Sequence, residues 1–169
     1  MQVKILTDNN FLPDQYGKYA DPKLKYQGFP VVSFPFSISD APEDTKTFAL
    51  TFLDYDAVPV SGFTWIHWLA ANIPTTITDI PENASRDNPF SMLQGNNSNA
   101  GSLVGENDPI ITRHYTGPNP PNKDHTYTLT VYALDANLPL ENGYWLNDFY
   151  RAIEGHVLTK TTVEVLSRK

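Results

Sequence analysis

Cysteine is missing from all 169 residues, which excludes disulfides, thiolate metal sites and a thiol nucleophile. Long hydrophobic runs are missing too. Nothing approaches the roughly 20 apolar residues of a membrane span, so no integral membrane association is expected. Positive charge is scarce: twelve Lys and Arg stand against nineteen Asp and Glu, a formal charge of −7. The densest basic cluster is KLK at 23–25. Because a phosphate backbone needs a basic patch to hold it, this balance argues against nucleic acid as a partner. The opening stretch MQVKILTDNNFLPDQYG has neither the continuous apolar run nor the small-residue cleavage site of a secretory signal, so a cytoplasmic location is expected. Low-complexity polar tracts are also absent, and the 40% hydrophobic content suffices for a core. The length suits a single domain spanning 1–169.

What the chain does have is punctuation. Fourteen prolines and nine glycines interrupt it too often for a helical bundle. Between them lie short runs rich in β-branched and aromatic residues, the pattern of an all-β sandwich or barrel-like fold. These runs predict strands at 29–38, 47–54, 63–73, 125–135 and 160–166, with a short edge strand within 75–81, where flanking prolines are tolerated. One helix is predicted, 146–158: Leu146, Phe149, Tyr150 and Ile153 share a face, and Arg151 and His156 fall late in it. The stretch 82–124 is long, polar and rich in Asn, Gly and Pro. A loop of that size is usually functional or poorly ordered.

Side chains alternate faces along a strand. In TFALTFLD, Phe48, Leu50 and Phe52 make the apolar face, and Asp54 continues it to the strand's end. In FTWIHWLAANI, alternation groups His67 with Phe63, Trp65, Leu69 and Ala71, and puts Ile66, Trp68 and Ala70 on the opposite face. In HTYTLTVYALD, His125 and Tyr127 precede Leu129, Val131 and Ala133. Three strands thus each deliver polar groups to a face otherwise made of core residues. Singly, each feature has an ordinary explanation. Asp54 and Asp56 flank a turn, which Asp favours; His67 suits a hydrogen-bonded core histidine; Trp65 and Trp68 suit the core; His125 at a strand start suits solvent.

Taken together, the residues admit three chemistries. His67, His125 and Asp54 are metal-ligand types, but no close histidine pair marks a metal site, so none is expected. Asp54 and Asp56 could act as an acid–base pair with His67 in a weak hydrolase, since glycosidases hold two carboxylates about 5–10 Å apart. The third chemistry is capture of a small phosphate-bearing or carboxylate ligand, with His67 as the central donor and His125, Tyr127 and loop N–H groups around it. Asp54 or Asp56 would favour the imidazolium and orient it. The same carboxylates would accept a cationic group beside the phosphate, so a zwitterionic headgroup is a sensible guest. GENDPIITRH has no Walker-type spacing.

Along nearly its whole length, the chain also resembles the phosphatidylethanolamine-binding protein family, in its bacterial and archaeal Raf-kinase-inhibitor-like branch. The segment SFPFSISDAPEDTKTFALTFLDYDA (33–57) is similar to the family's entry strand, acidic turn and first core strand. DYDAVP stands where the family has an Asp-Pro-Asp-Ala-Pro box, and WIHW followed by NIP matches its Trp/His strand. QGNNS and YTGPNPP match its pocket loops, HTYTLTVYALD its His-x-Tyr strand, and AIEGHVL its C-terminal helix. Two departures mark this chain. Tyr55 replaces the proline between the acids, and Val58 is inserted before Pro59, which makes the turn less rigid and one residue longer.

The resemblance implies a mainly β fold, an antiparallel β-sandwich with a few short helices including a C-terminal one. It implies a ligand pocket using Asp54, Asp56, Trp65, His67, His125 and Tyr127, with Gly117, Pro118 and Pro121 shaping its wall. Members bind phospholipid headgroups and other anions and inhibit kinases or proteases. The expectation is therefore a non-enzymatic, cofactor-free binder of small anions that regulates or inhibits a partner enzyme, with a protein partner and a homodimer both admissible. The alternatives are the weak hydrolase and an interaction module working through 82–124 beside a vestigial pocket.

Overall fold

Ten strands and four short α-helices make up the regular structure of residues 1–169 in the computed structural model. In chain order the strands are β1 (Gln2–Ile5), β2 (Lys25–Tyr26), β3 (Phe29–Pro30), β4 (Phe36–Ser39), β5 (Thr47–Asp54), β6 (Trp65–Pro74), β7 (Asp79–Ile80), β8 (Leu93–Gln94), β9 (His125–Leu134) and β10 (Val157–Ser167). The helices are α1 (Val58–Ser61), α2 (Ala84–Asp87), α3 (Pro109–Thr112) and α4 (Leu146–Ala152). One antiparallel sheet runs β10-β9-β5-β6-β8, and a second runs β1-β4-β7; β2 and β3 form a separate pair. This is the predicted β-sandwich. No helix is long and apolar enough to cross a membrane.

The two sheets close over an aromatic core. Phe34, Phe36 and Ile38 meet Phe48, Leu50, Phe52, Trp68 and Leu129, all buried. Full burial of such a side chain contributes about 1.5–3 kcal/mol relative to leaving it in water. A second apolar layer covers the other face of the large sheet, where Phe149 and Ile153 lie with Tyr132, Leu134 and Leu69. Covered on both sides, β5 is buried at every position.

Several expectations need correction. The predicted 29–38 strand divides, because Pro30 and Pro35 have no N–H to donate; Phe29–Pro30 pairs with β2 and Phe36–Ser39 joins the small sheet. The predicted 146–158 helix stops at Ala152. Gly155 takes φ +79°, and the β-branched run from Val157 starts β10. Of the two readings of the 82–124 stretch, functional or poorly ordered, the second does not hold: it contributes β8, α2 and α3, and Asn97, with no exposure, donates to the Ile111 and His114 carbonyls.

β6 slips register twice against β5. At one slip Asn72 adopts φ +55°, and its amide bonds both Leu138 O (3.0 Å) and Leu138 N (2.8 Å). At the other, Phe52 faces Trp68 while Leu53 faces Ile66, leaving His67 as the extra residue of a bulge. Simple alternation therefore fails there. His67 and Trp68 both face the inter-sheet core, whereas Leu69 and Ala71 face the layer under α4.

Candidate functional site

The second bulge lies beside a cavity of about 550 Å³ at the ends of β5, β6 and β9. Its wall includes Asp54, Trp65, His67, Gly117, Pro121, His125 and Tyr127, seven of the nine residues the sequence singled out. Antiparallel register explains the convergence: Asp54 ends β5 opposite both Trp65 on β6 and Tyr127 on β9. The bulge then swings His67 to the same side, its ring 5.1 Å from that of Tyr127 and 5.9 Å from that of Phe52.

Asp54 is buried, and each of its carboxylate oxygens has a protein partner. Its Oδ1 accepts the Ala57 N–H (3.0 Å), closing the turn into α1, and its Oδ2 lies 2.7 Å from His125 Nδ1. The inserted Val58 begins α1, which ends on Gly62 at φ +87°, so a short helical turn absorbs the extra residue without moving Asp54 off its strand. His125 Nε2 lies 2.8 Å from Asn122 Oδ1, an oxygen that also accepts the Lys123 N–H (3.0 Å). Both ring nitrogens thus face side-chain oxygens. Burial, then the nearby Asp54 charge, raises the pKa of the Tyr127 hydroxyl far above the usual phenol range.

His67 differs from expectation. Its Nδ1 donates to the Thr116 carbonyl (2.6 Å), not to a carboxylate. Burial lowers its pKa to about 4, outweighing the upward pull of the Thr116 carbonyl and of Asp54. The ring is neutral near pH ~7, with its proton on Nδ1. Nε2 has no protein partner and opens on the cavity. His67 therefore offers the cavity an acceptor, where the sequence suggested a donor.

Two expected site residues lie elsewhere. Asp56 turns away to accept the Thr126 N–H (3.0 Å) and to pair with Lys123 (2.9 Å); those contacts hold its carboxyl below the usual range. Its role is to fasten the acidic turn to the start of β9. Pro118 is buried behind the wall, where its carbonyl accepts the Lys18 N–H (2.9 Å). Gly117 is needed for close approach: a Cβ there would lie 2.1 Å from the Tyr16 carbonyl oxygen.

Other wall residues carried no signal in the sequence. Gln27, Gly28 and Phe29 arrive from the β2–β3 pair, Val60 from α1, and Asn99 from the 82–124 stretch. Asn99 Nδ2 donates to Thr116 Oγ1 (3.2 Å), bracing the carbonyl that holds His67. The QGNNS motif ends at Ser98, one residue short of Asn99, and nothing local marked the others. The site holds no metal-binding constellation: no three His, Asp or Glu side chains converge to hold an ion.

Comparison with known proteins agrees with this architecture. The sequence model of the family described as "Phosphatidylethanolamine-binding protein" matches residues 2–168. YxkA of Bacillus subtilis is 54% identical over 160 residues, covering 95% of each chain. Among solved structures, the Chlamydia trachomatis homologue CT736 superposes with a TM-score of 0.74 at 27% identity, covering 94% of this chain and 90% of that one. Escherichia coli YbcL reaches 0.77 at 23% identity over 99% and 98%.

Proposed function

We propose that this chain, which belongs to the phosphatidylethanolamine-binding protein family, captures a small phosphate-bearing group in the cavity beside His67 and performs no chemistry on it. One observation carries the reading. Nε2 of His67 is an unpartnered acceptor facing a cavity of about 550 Å³, the size of a small-molecule site. The complementary guest brings a proton, either as the hydroxyl of a singly protonated phosphate or by charging the ring as it binds.

The surroundings suit a zwitterion such as phosphoethanolamine. The carboxylate of Asp54 would favour an ammonium, and Trp65, stacked on Phe63 with centroids 5.7 Å apart, supplies an apolar wall. The name of the family points to the same headgroup. A hydrolase reading needs two carboxylates across one cleft, and with Asp56 tied to Thr126 and Lys123 only Asp54 faces the cavity.

The test is an imidazole ¹⁵N NMR titration with inorganic phosphate and phosphoethanolamine, with chloride as control. The His67 Nε2 resonance should move at millimolar ligand and stay fixed in chloride. A folded protein in which neither His67 nor His125 responds contradicts the reading.

A further inference from the structure

The wall of the cavity distinguishes oxyanions by whether they carry a proton. Thr116 O, 2.6 Å from His67 Nδ1, holds the ring proton on that side and leaves the Nε2 lone pair toward the cavity. The carbonyl is itself braced. Thr116 N–H donates to His67 O (3.0 Å), and the Thr116 hydroxyl accepts from Asn99 (3.2 Å). The ring is therefore fixed as an acceptor by the strand and loop around it.

Charging that ring would leave the new cation without an ion partner of its own. The titratable groups that face it are Asp54 from β5 and His125 and Tyr127 from β9. Asp54, the one carboxylate among them, already spends Oδ1 on the Ala57 N–H and Oδ2 on His125. Phe52 and Tyr127 pack against the ring, which is 5% exposed. A buried charge in such a place is costly. Nor does the wall bring a cation of its own, since no Lys or Arg lines the cavity. Two of its polar side chains are committed elsewhere: Ser61 to the Ala57 and Phe63 carbonyls, and Gln27 to Asp108.

Resting on the capture reading above, we propose that the cavity selects phosphomonoesters in their singly protonated form, the phosphate hydroxyl donating to His67 Nε2, and rejects fully ionised oxyanions such as phosphodiesters and sulfate esters. A phosphomonoester loses its second proton near about pH 6, so the protonated form is still present at neutral pH. A diester or a sulfate ester has no proton left to give. Each oxygen it turns toward Nε2 sets one lone pair against another. Charge and shape do not make this choice. Singly protonated phosphoethanolamine and ethanolamine O-sulfate carry the same ammonium and the same single negative charge, and differ in the hydroxyl.

Calorimetry of the full chain just below neutral pH tests the inference, with phosphoethanolamine, ethanolamine O-sulfate and the diester glycerophosphoethanolamine as probes. The monoester should bind about tenfold or more tightly than either analogue. In its complex the imidazole ¹⁵N spectrum should show His67 Nε2 still unprotonated. Affinity for either analogue inside that margin overturns the selection while capture of an oxyanion stands, and so does a complex in which Nε2 is protonated. Binding of none of the three removes the capture reading and this inference with it.

Discussion

Acidifying the protein from about pH 7 to about pH 5 should remove stability, in part through the buried ring of His67. Burial holds the folded ring at a pKa of about 4, against an ordinary value of 6.5 that the unfolded chain recovers. Between those values the unfolded chain binds a proton that the folded chain refuses. The contribution is therefore complete above the unfolded pKa and declines as pH falls toward the folded one. At about pH 5 the loss due to His67 is about 2 kcal/mol, approaching about 3 kcal/mol in stronger acid. The assay is urea denaturation of wild type and His67→Gln at both pH values, the glutamine amide retaining a donor for the Thr116 carbonyl. His114, lowered by burial, loses stability over the same interval, whereas Asp14 and Asp56, lowered by their hydrogen-bond donors, lose theirs only in stronger acid, below their ordinary value of 3.8. They do so in both proteins and cancel in the difference. Wild type should lose about 2 kcal/mol more than the variant. Equal losses would refute a buried, neutral His67.

Three substitutions probe the surrounding geometry. Gly117→Ala drives a methyl to within 2.1 Å of the Tyr16 carbonyl and should cost about 1–3 kcal/mol in chemical denaturation; a neutral effect would mean the wall is not tightly closed. Asp54→Asn weakens the buried hydrogen bond to His125 and should cost about 1–3 kcal/mol, while shifting the His125 ring resonances. A small loss with unmoved resonances would disprove the pair. Asp56→Asn should cost about 1 kcal/mol or less, since Lys123 is a solvent-exposed partner, and leave phosphate affinity unchanged by calorimetry; a large drop in affinity would return Asp56 to the site.

Much of the sandwich was legible because its central strands carry the strongest local signal. TFALTFLD and HTYTLTVYALD bury both faces, and their ends deliver Asp54, His125 and Tyr127 to one rim. Alternation failed at His67 because a bulge changes which face a residue takes, and no residue in WIHW announces one. The direction of Asp56 was hidden for a different reason. Its partners, the Thr126 amide and Lys123, are far away in the chain. The helix over 146–158 ran long because the helical period of its apolar residues outweighed Gly155 and the β-branched residues after it, which only pairing with β9 turns into a strand. Gln27, Gly28 and Phe29 carry no mark of a binding wall, since only the β2–β3 pair brings them to the cavity. Nor could sequence alone show which histidine holds the carboxylate. Asp54 took His125, and His67 took a carbonyl.

The most direct test of the pocket is a crystal structure of the protein soaked with phosphoethanolamine. Phosphate density within hydrogen-bonding distance of His67 Nε2, with the ammonium toward Asp54, is the predicted result. Well-ordered crystals in which the cavity holds only water at saturating phosphoethanolamine would contradict it.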